Sequence, residues 1–329
     1  MLLEKSKLVS ALAVLSDGAD VFVPGEPGTD SRFVLWNGKS GADLAGDNTA
    51  FPPKDILFPK TEKMYAYKTG LDAQVKEILE DQKQIIFGIR PCDVESIMRL
   101  DQVFSEKEFR DEFYLRKRGN SVLIAVACEK PQKTCFCDSM GLSPNAAPGA
   151  DVLFCDKGDS YGVTAQTDKG KEIVEKLKAV LKKGDNKPGN TACTLKAKMD
   201  DRLPEKLSGM FEHPIWDQVT KACIGCATCT YVCPTCYCFD ISTECRGNEG
   251  VNFRCWDSCM FSEYSRMAGG HNPRPSKKER LRNRYMHKLS YFKDRHGTNL
   301  CVGCGRCIEK CPAHLDISEF IDQAAEVTV

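Results

Sequence analysis

No stretch of the chain is apolar for the ~20 residues that a helix needs to cross a membrane. "LVSALAVL", residues 8–15, is the single candidate for a targeting segment; it is short, follows mixed charges and lacks a small-residue cleavage site before Asp17. A soluble, cytoplasmic protein is expected. An excess of one charge is lacking too: Lys plus Arg and Asp plus Glu each number 46 in 329 residues, for a net charge of +0. That balance argues against nucleic acid or an anionic membrane as the main partner, so partners have to be sought locally. Nor does a G-x-G-x-x-G follow any strand pattern. "VPGEPGTD" (23–30) is too turn-like to take its place, so binding of NAD or FAD by this chain is not expected.

What the chain has in excess is cysteine, 19 residues. In a large charged chain without a signal peptide they indicate metal ligands rather than a disulfide framework. An anaerobic or strongly reducing cell suits them. "CIGCATCTYVCP" (223–234) has the C-x2-C-x2-C-x3-C-P spacing of a bacterial-type ferredoxin, and "CVGCGRCIEKCP" (301–312) repeats it. In such paired runs three cysteines hold one cluster and the fourth crosses to the other. One [4Fe-4S] site is therefore assigned to Cys223, Cys226, Cys229 and Cys311, and the second to Cys301, Cys304, Cys307 and Cys233. Gly225 and Gly303 allow the tight turn that converges neighbouring thiolates, and the proline turns the chain away. Structural zinc, the plainer alternative, takes two pairs of ligands rather than two quartets each ended by proline. Every C-x2-C pair is used by these runs, which leaves none for a nickel-iron site, and the pattern supplies no cysteine-bridged cluster for siroheme.

At roughly 150 residues per domain the length suits about two domains. Residues 3–15 have helical spacing; "DVFVPGE", "SRFVLWN", "QIIFGI" and "SVLIAVAC" read as strands, the last two as buried ones. "DVESIMRLDQVF" between them reads as a helix with Asp93 as its N-cap. "ADVLFCD" and "SYGVTAQ" add strands, and "KGKEIVEKLKAVLKKG" predicts an amphipathic helix ending at Gly184. "KGDNKPGN" (183–190) is a polar linker. The expected class is α+β: an α/β domain over 1–190, then a mostly helical ferredoxin-like dicluster domain over 205–329, with residues 234–300 as a long insert between the two runs.

The α/β domain carries its own cysteines. Cys92 ends one strand and opens a helix, whose dipole favours thiolate there, and Cys128 follows the next strand, with Cys135 and Cys137 close behind. Loops at the carboxyl ends of adjacent strands face one crevice, so these four residues are candidates for a third [4Fe-4S] cluster. Buried structural thiols are the alternative. In the insert, Cys236, Cys238, Cys255 and Cys259 are expected to pack beside the clusters as small hydrophobes. Cys155, Cys193 and Cys245 are isolated and are not expected to be ligands. The basic stretch 274–295 is either a solvated helix face or a docking surface or counter-charge for the clusters. His271, His287 and His296 have no cysteine partner by spacing and read as surface or core residues.

"RPCDVESI", "CEKPQKTCFCDSMG", "CIGCATCTYVCPTCYCFD", "WDSCMF", "MAGGHNPR", "RYMHKLSYF" and "CVGCGRCIEKCP" occur in this order from about residue 50 to the end. Together they resemble the 4Fe-4S dicluster subunits typified by the beta subunit of soluble sulfhydrogenases and by the corresponding iron-sulfur subunit of anaerobic sulfite reductases. The resemblance implies an electron-transfer subunit that docks a flavin-containing NAD(P)H diaphorase subunit, exchanging electrons with a separate catalytic redox subunit. That catalytic partner would be of hydrogenase, sulfite reductase or heterodisulfide-reductase type. The resemblance also places Cys92, Cys128, Cys135 and Cys137 on the family's N-terminal cysteine positions. The competing reading is a catalytic reductase whose N-terminal crevice, near Arg90, binds flavin or substrate and is fed by internal clusters.

Overall fold

The runs "QIIFGI" and "SVLIAV" lie side by side as parallel strands, an arrangement in which helices cover both faces of such apolar segments. The computed structural model describes residues 1–328 apart from 29, 40, 43, 45 and 47. Its strands are β1 (Leu2–Glu4), β2 (Asp20–Pro24), β3 (Phe33–Leu35), β4 (Thr61–Lys68), β5 (Gln74–Glu77), β6 (Gln84–Ile89), β7 (Ser121–Val126), β8 (Val152–Asp156), β9 (Ser160–Ala165), β10 (Leu181–Lys182), β11 (Phe239–Arg246) and β12 (Glu249–Trp256). The main sheet has the order β10-β1-β9-β8-β7-β6-β2-β3. Its β2, β6, β7 and β8 are parallel, with antiparallel strands on both flanks.

Alternation along the strands divides the core. Ile85, Phe87, Ile124 and Val126 face helix Leu8–Leu15 and Ile173 of helix Asp168–Lys176. Ile86, Leu123, Ala125 and Leu153 face helix Pro91–Phe104, against Val94, Ile97 and Leu100.

Several local expectations shift. Residues 3 and 4, expected as helix, belong to strand β1, which lies between β9 and the edge strand β10. The helix expected to run to Gly184 stops at Lys176, and after Leu177 the chain turns so that Leu181 and Lys182 pair with β1. Ladder pairing there outweighs a helical pattern whose last turn would stand alone. Helix Pro91–Phe104 starts earlier than expected, with Arg90 at the N-cap and Pro91, whose fixed φ suits the first turn, just inside. Asp93 is therefore not the cap. It lies 1% exposed in the first turn and receives two hydrogen bonds from Arg306, at 2.6 and 2.9 Å.

The insert is less helical than its sequence suggests. β11 and β12, eight residues each, form a hairpin that joins β4 and β5, giving a second sheet of order β11-β12-β4-β5. Residues on either side of the expected boundary near 185–205 thus share a sheet in space. Behind that sheet Glu62 of β4 accepts from Arg254 of β12 at 2.7 Å and pairs with Lys117, and Arg254 also pairs with Asp111. Arg254 is fully buried. Among the described residues no helix is long and apolar enough to cross a membrane.

The buried Asp93–Arg306 pair joins the two parts directly. Arg306→Met leaves the Asp93 carboxylate buried and alone, with an expected loss of about 3–5 kcal/mol. A urea-unfolding series checks this; the double variant Asp93→Asn/Arg306→Met is expected to recover part of the loss.

Candidate metal centres

Each cysteine run folds as a loop closed by a single helical turn, Thr228–Tyr231 in the first and Arg306–Glu309 in the second. Gly225 and Gly303 sit at φ +73° and +62°, the left-handed conformation that the loops need. One cavity is lined by Cys223, Cys226, Cys229 and Cys311, and a neighbouring one by Cys301, Cys304, Cys307 and Cys233. The fourth cysteine of each run thus lines the other run's cavity. Cys307 lines both, so the cavities adjoin.

Burial pushes the Cys229 and Cys301 thiols up to about 11, and raises Cys304 and Cys307 as well. Without a cation these sulfurs are protonated. A bound metal cluster has to displace those protons. Several groups point at the sulfurs: Leu315 N–H donates to Cys311 Sγ at 3.3 Å, and Thr228 and Thr235 hydroxyls lie 3.3 and 3.4 Å from Cys226 and Cys233. Such hydrogen bonds adjust the reduction potential of a bound cluster.

The basic stretch turns inward. Arg280, Arg282, Arg284 and Lys288 are all buried. Arg284 lines both cavities and Lys288 the second. Arg284 donates to Cys229 O at 3.3 Å and Lys288 to Thr235 Oγ1 at 2.7 Å, and neither has a carboxylate at salt-bridge distance among the described residues. Burial alone would lower Lys288, but the field of Cys233 and Cys236 reverses this and holds it above the usual lysine range. Buried cations facing thiols fit an anionic iron-sulfur cluster with thiolate ligands, so the donor set and its surroundings suit [4Fe-4S] groups in both cavities.

A third group of thiols gathers at the carboxyl ends of β6 and β7. Cys92, Cys128, Cys135 and Cys137 come together there, and Cys193 joins them, its sulfur 3.5 Å from Cys137 Sγ. The isolation of Cys193 in sequence was misleading. Its N–H donates to Asp138 Oδ2 at 2.9 Å, which anchors the segment after the linker beside the 135–138 loop. No spacing rule could have found it. Burial raises Cys92 well above its ordinary value and Cys135 to about 12.

This group abuts the second cavity. Phe136 N–H donates to Gly303 O at 2.9 Å, Cys135 Sγ to Cys304 O at 3.6 Å, and Cys92 packs with Val302 and Cys304. A side chain at Gly303 would meet the Phe136 carbonyl at 2.6 Å, so glycine permits the approach. Arg90, whose place near the crevice would support the catalytic reading, lines that crevice and donates to the carbonyls of Leu44, Gly46 and Ala127.

The remaining residues divide clearly. Cys155 is buried and donates to Asn186 O at 3.2 Å, while Cys245 is exposed on β11. Cys236 lies against Cys233 and Cys238 against Cys259, with Cys255 apart on β12. His271 is exposed, and His296 stacks on Phe292. His287 meets the Tyr237 hydroxyl at 3.0 Å, and burial lowers it to about 4.

Residues 222–315 match the family described as 4Fe-4S dicluster domain. Over 95% of this chain and 94% of the relative, the sequence is 31% identical to the protein named sulfhydrogenase 2 subunit beta of Pyrococcus furiosus. No solved structure matches the chain. Because the similarity runs through the α/β part as well as the two cysteine runs, the chain belongs to the 4Fe-4S dicluster, iron-sulfur electron-transfer subunits related to sulfhydrogenase beta subunits.

Proposed function

We propose that this chain is the relay of a multisubunit cytoplasmic oxidoreductase. It carries electrons between a separate catalytic subunit, of hydrogenase, sulfite reductase or heterodisulfide-reductase type, and a flavin-containing NAD(P)H diaphorase subunit. Residues 1–190 are the α/β unit, and residues 205–329 the ferredoxin-like unit interrupted by its insert. Cys223, Cys226, Cys229 and Cys311 hold one [4Fe-4S] cluster, and Cys233, Cys301, Cys304 and Cys307 the second. The third is held by four thiols from the group of Cys92, Cys128, Cys135 and Cys137, which Cys193 extends to five. A bound [4Fe-4S] cluster supplies one-electron exchange without binding substrate.

The observation that carries this reading is the continuity of the thiol groups. Cys307 is common to the first and second cavities, and Cys304 touches the third group through Cys92 and Cys135. At the outer end Cys226 is exposed and Ile224 is 64% exposed beside it, an apolar contact point suited to a redox partner. The rival, a flavin in the N-terminal crevice, is weakened by the size of the cleft. About 160 Å³ is open between Arg90, Asn48 and Cys128, below the roughly 300–1,000 Å³ typical of small-molecule sites.

Two measurements test the proposal. The lone chain, purified anaerobically, is expected to contain iron and acid-labile sulfide but no flavin, and to have no NAD(P)H–dye activity of its own; flavin absorbance with such activity would sink it. Single alanine substitutions across Cys92, Cys128, Cys135, Cys137 and Cys193 should each remove about four irons at four positions and none at the fifth, since a four-iron cluster takes four thiolates. Unchanged iron at all five would make the group structural.

A further inference from the structure

The sheet β11-β12-β4-β5 buries the face that carries Glu62 and Arg254. Its opposite face is open, with a groove of about 660 Å³. One wet face is ordinary for an antiparallel sheet; the order of the residues on this one is not. Register sets them in rows that cross the strands from β5 to β11. One row reads Lys76, Ala66, Val251, Glu244, and the next, toward the hairpin tips, reads Gln74, Lys68, Glu249, Arg246. Past the bulge between Asn252 and Phe253, Lys63 of β4 lies against Phe253 of β12.

The groove is thereby zoned. Its middle is apolar, with Ala66, Val251 and Phe253 half-buried. The β4–β5 side carries cations alone, Lys63, Lys68 and Lys76, while the β11–β12 side carries Glu244 and Glu249, with Arg246 at the tip corner. These charged residues are exposed, and among the described residues none of them has an opposite charge within salt-bridge distance. Lysines on one side, glutamates on the other and an apolar seam between them make a surface complementary to itself.

We propose that this face pairs with the same face of a second copy of the chain. In a face-to-face pair the two-fold axis lies in the plane between the sheets. An axis along the strands, over the seam of β4 and β12, sets β4 of one copy over β12 of the other and β5 over β11. Each row then meets itself reversed. Lys68 faces Glu249 of the second copy, Lys76 faces Glu244, Gln74 faces Arg246, and Ala66 faces Val251. Lys68 and Lys76 gain an opposite charge, and Lys63 gains the aromatic face of Phe253. An axis across the strands would set β4 over β4 and β5 over β5, lysines against lysines. Aligned packing is an ordinary geometry for two antiparallel sheets. Four strands of up to eight residues offer about 500 Å² of face per copy. Stable interfaces start at roughly 600 Å² per partner, so this dimer is reversible and concentration-dependent.

Sedimentation velocity of the full chain, purified anaerobically, tests this. The protein is expected to pass from monomer to dimer between about 1 and about 100 μM. Lys68→Glu and Glu249→Lys each bring like charges together across the two-fold axis and are expected to weaken the dimer about tenfold or more, with iron content unchanged. Mixed in equal amounts, the two variants regain the dimer, because each supplies the charge that the other needs; a folding defect in either could not be mended in this way. A wild-type chain that stays monomeric over that range, whether or not another subunit of the complex covers the face, overturns the proposal. So does a dimer indifferent to both reversals, or a mixture that stays monomeric. The relay proposal makes no use of this face and is judged separately, by flavin content and by the Cys92 group.

Discussion

The rest of the site depends on the buried pair of Asp93 and Arg306. Asp93 follows Cys92 at the start of its helix, and Arg306 lies between Cys304 and Cys307, so one bidentate contact fixes the third thiol group against the second. Both ends are almost fully buried, and Arg306 also donates to Thr49 O at 2.7 Å. A pair removed from water to this degree gains little net stability over an apolar replacement. What it supplies is register, because either partner displaced alone would leave a bare charge in the interior. Gly303 and Gly305 complete the fit by allowing the two loops to approach backbone to backbone.

Charge arrangement explains the basic stretch in the same terms. Arg284 and Lys288 are oriented inward because the thiols around them become an anionic wall once metal is bound. Burial makes those thiols poor acids on their own, as the raised values of Cys229, Cys301 and Cys304 indicate. Cation and cluster therefore stabilise one another. The apo cavity is the less favourable state for both, which ties folding of this part to metal.

The insert serves the same centre from the other side. Its hairpin pairs with β4, and the Glu62–Arg254–Asp111 network fixes that pairing beneath the aromatic rings of Phe58 and Phe113. A strand from residues 61–68 thus orients a turn at 257–259. The chain's two parts form one scaffold, in which the α/β sheet carries one thiol group and supports the others.

The dicluster character of residues 222–315 was legible in sequence, because a C-x2-C-x2-C-x3-C-P loop is local and its spacing limits which sulfurs can converge. The central strands were legible for a similar reason: uninterrupted apolar runs such as "QIIFGI" have to be covered on both faces. Contacts between distant segments were not legible. The position of Cys193 beside Cys137, the pairing of Asp93 with Arg306 and the edge strand at 181–182 all join residues far apart in the chain or in different layers. Local pattern is silent on such contacts, since side-chain period records which face is buried but not what buries it. Residue spacing therefore determined the chemistry of the sites, and tertiary packing alone decided which sites adjoin.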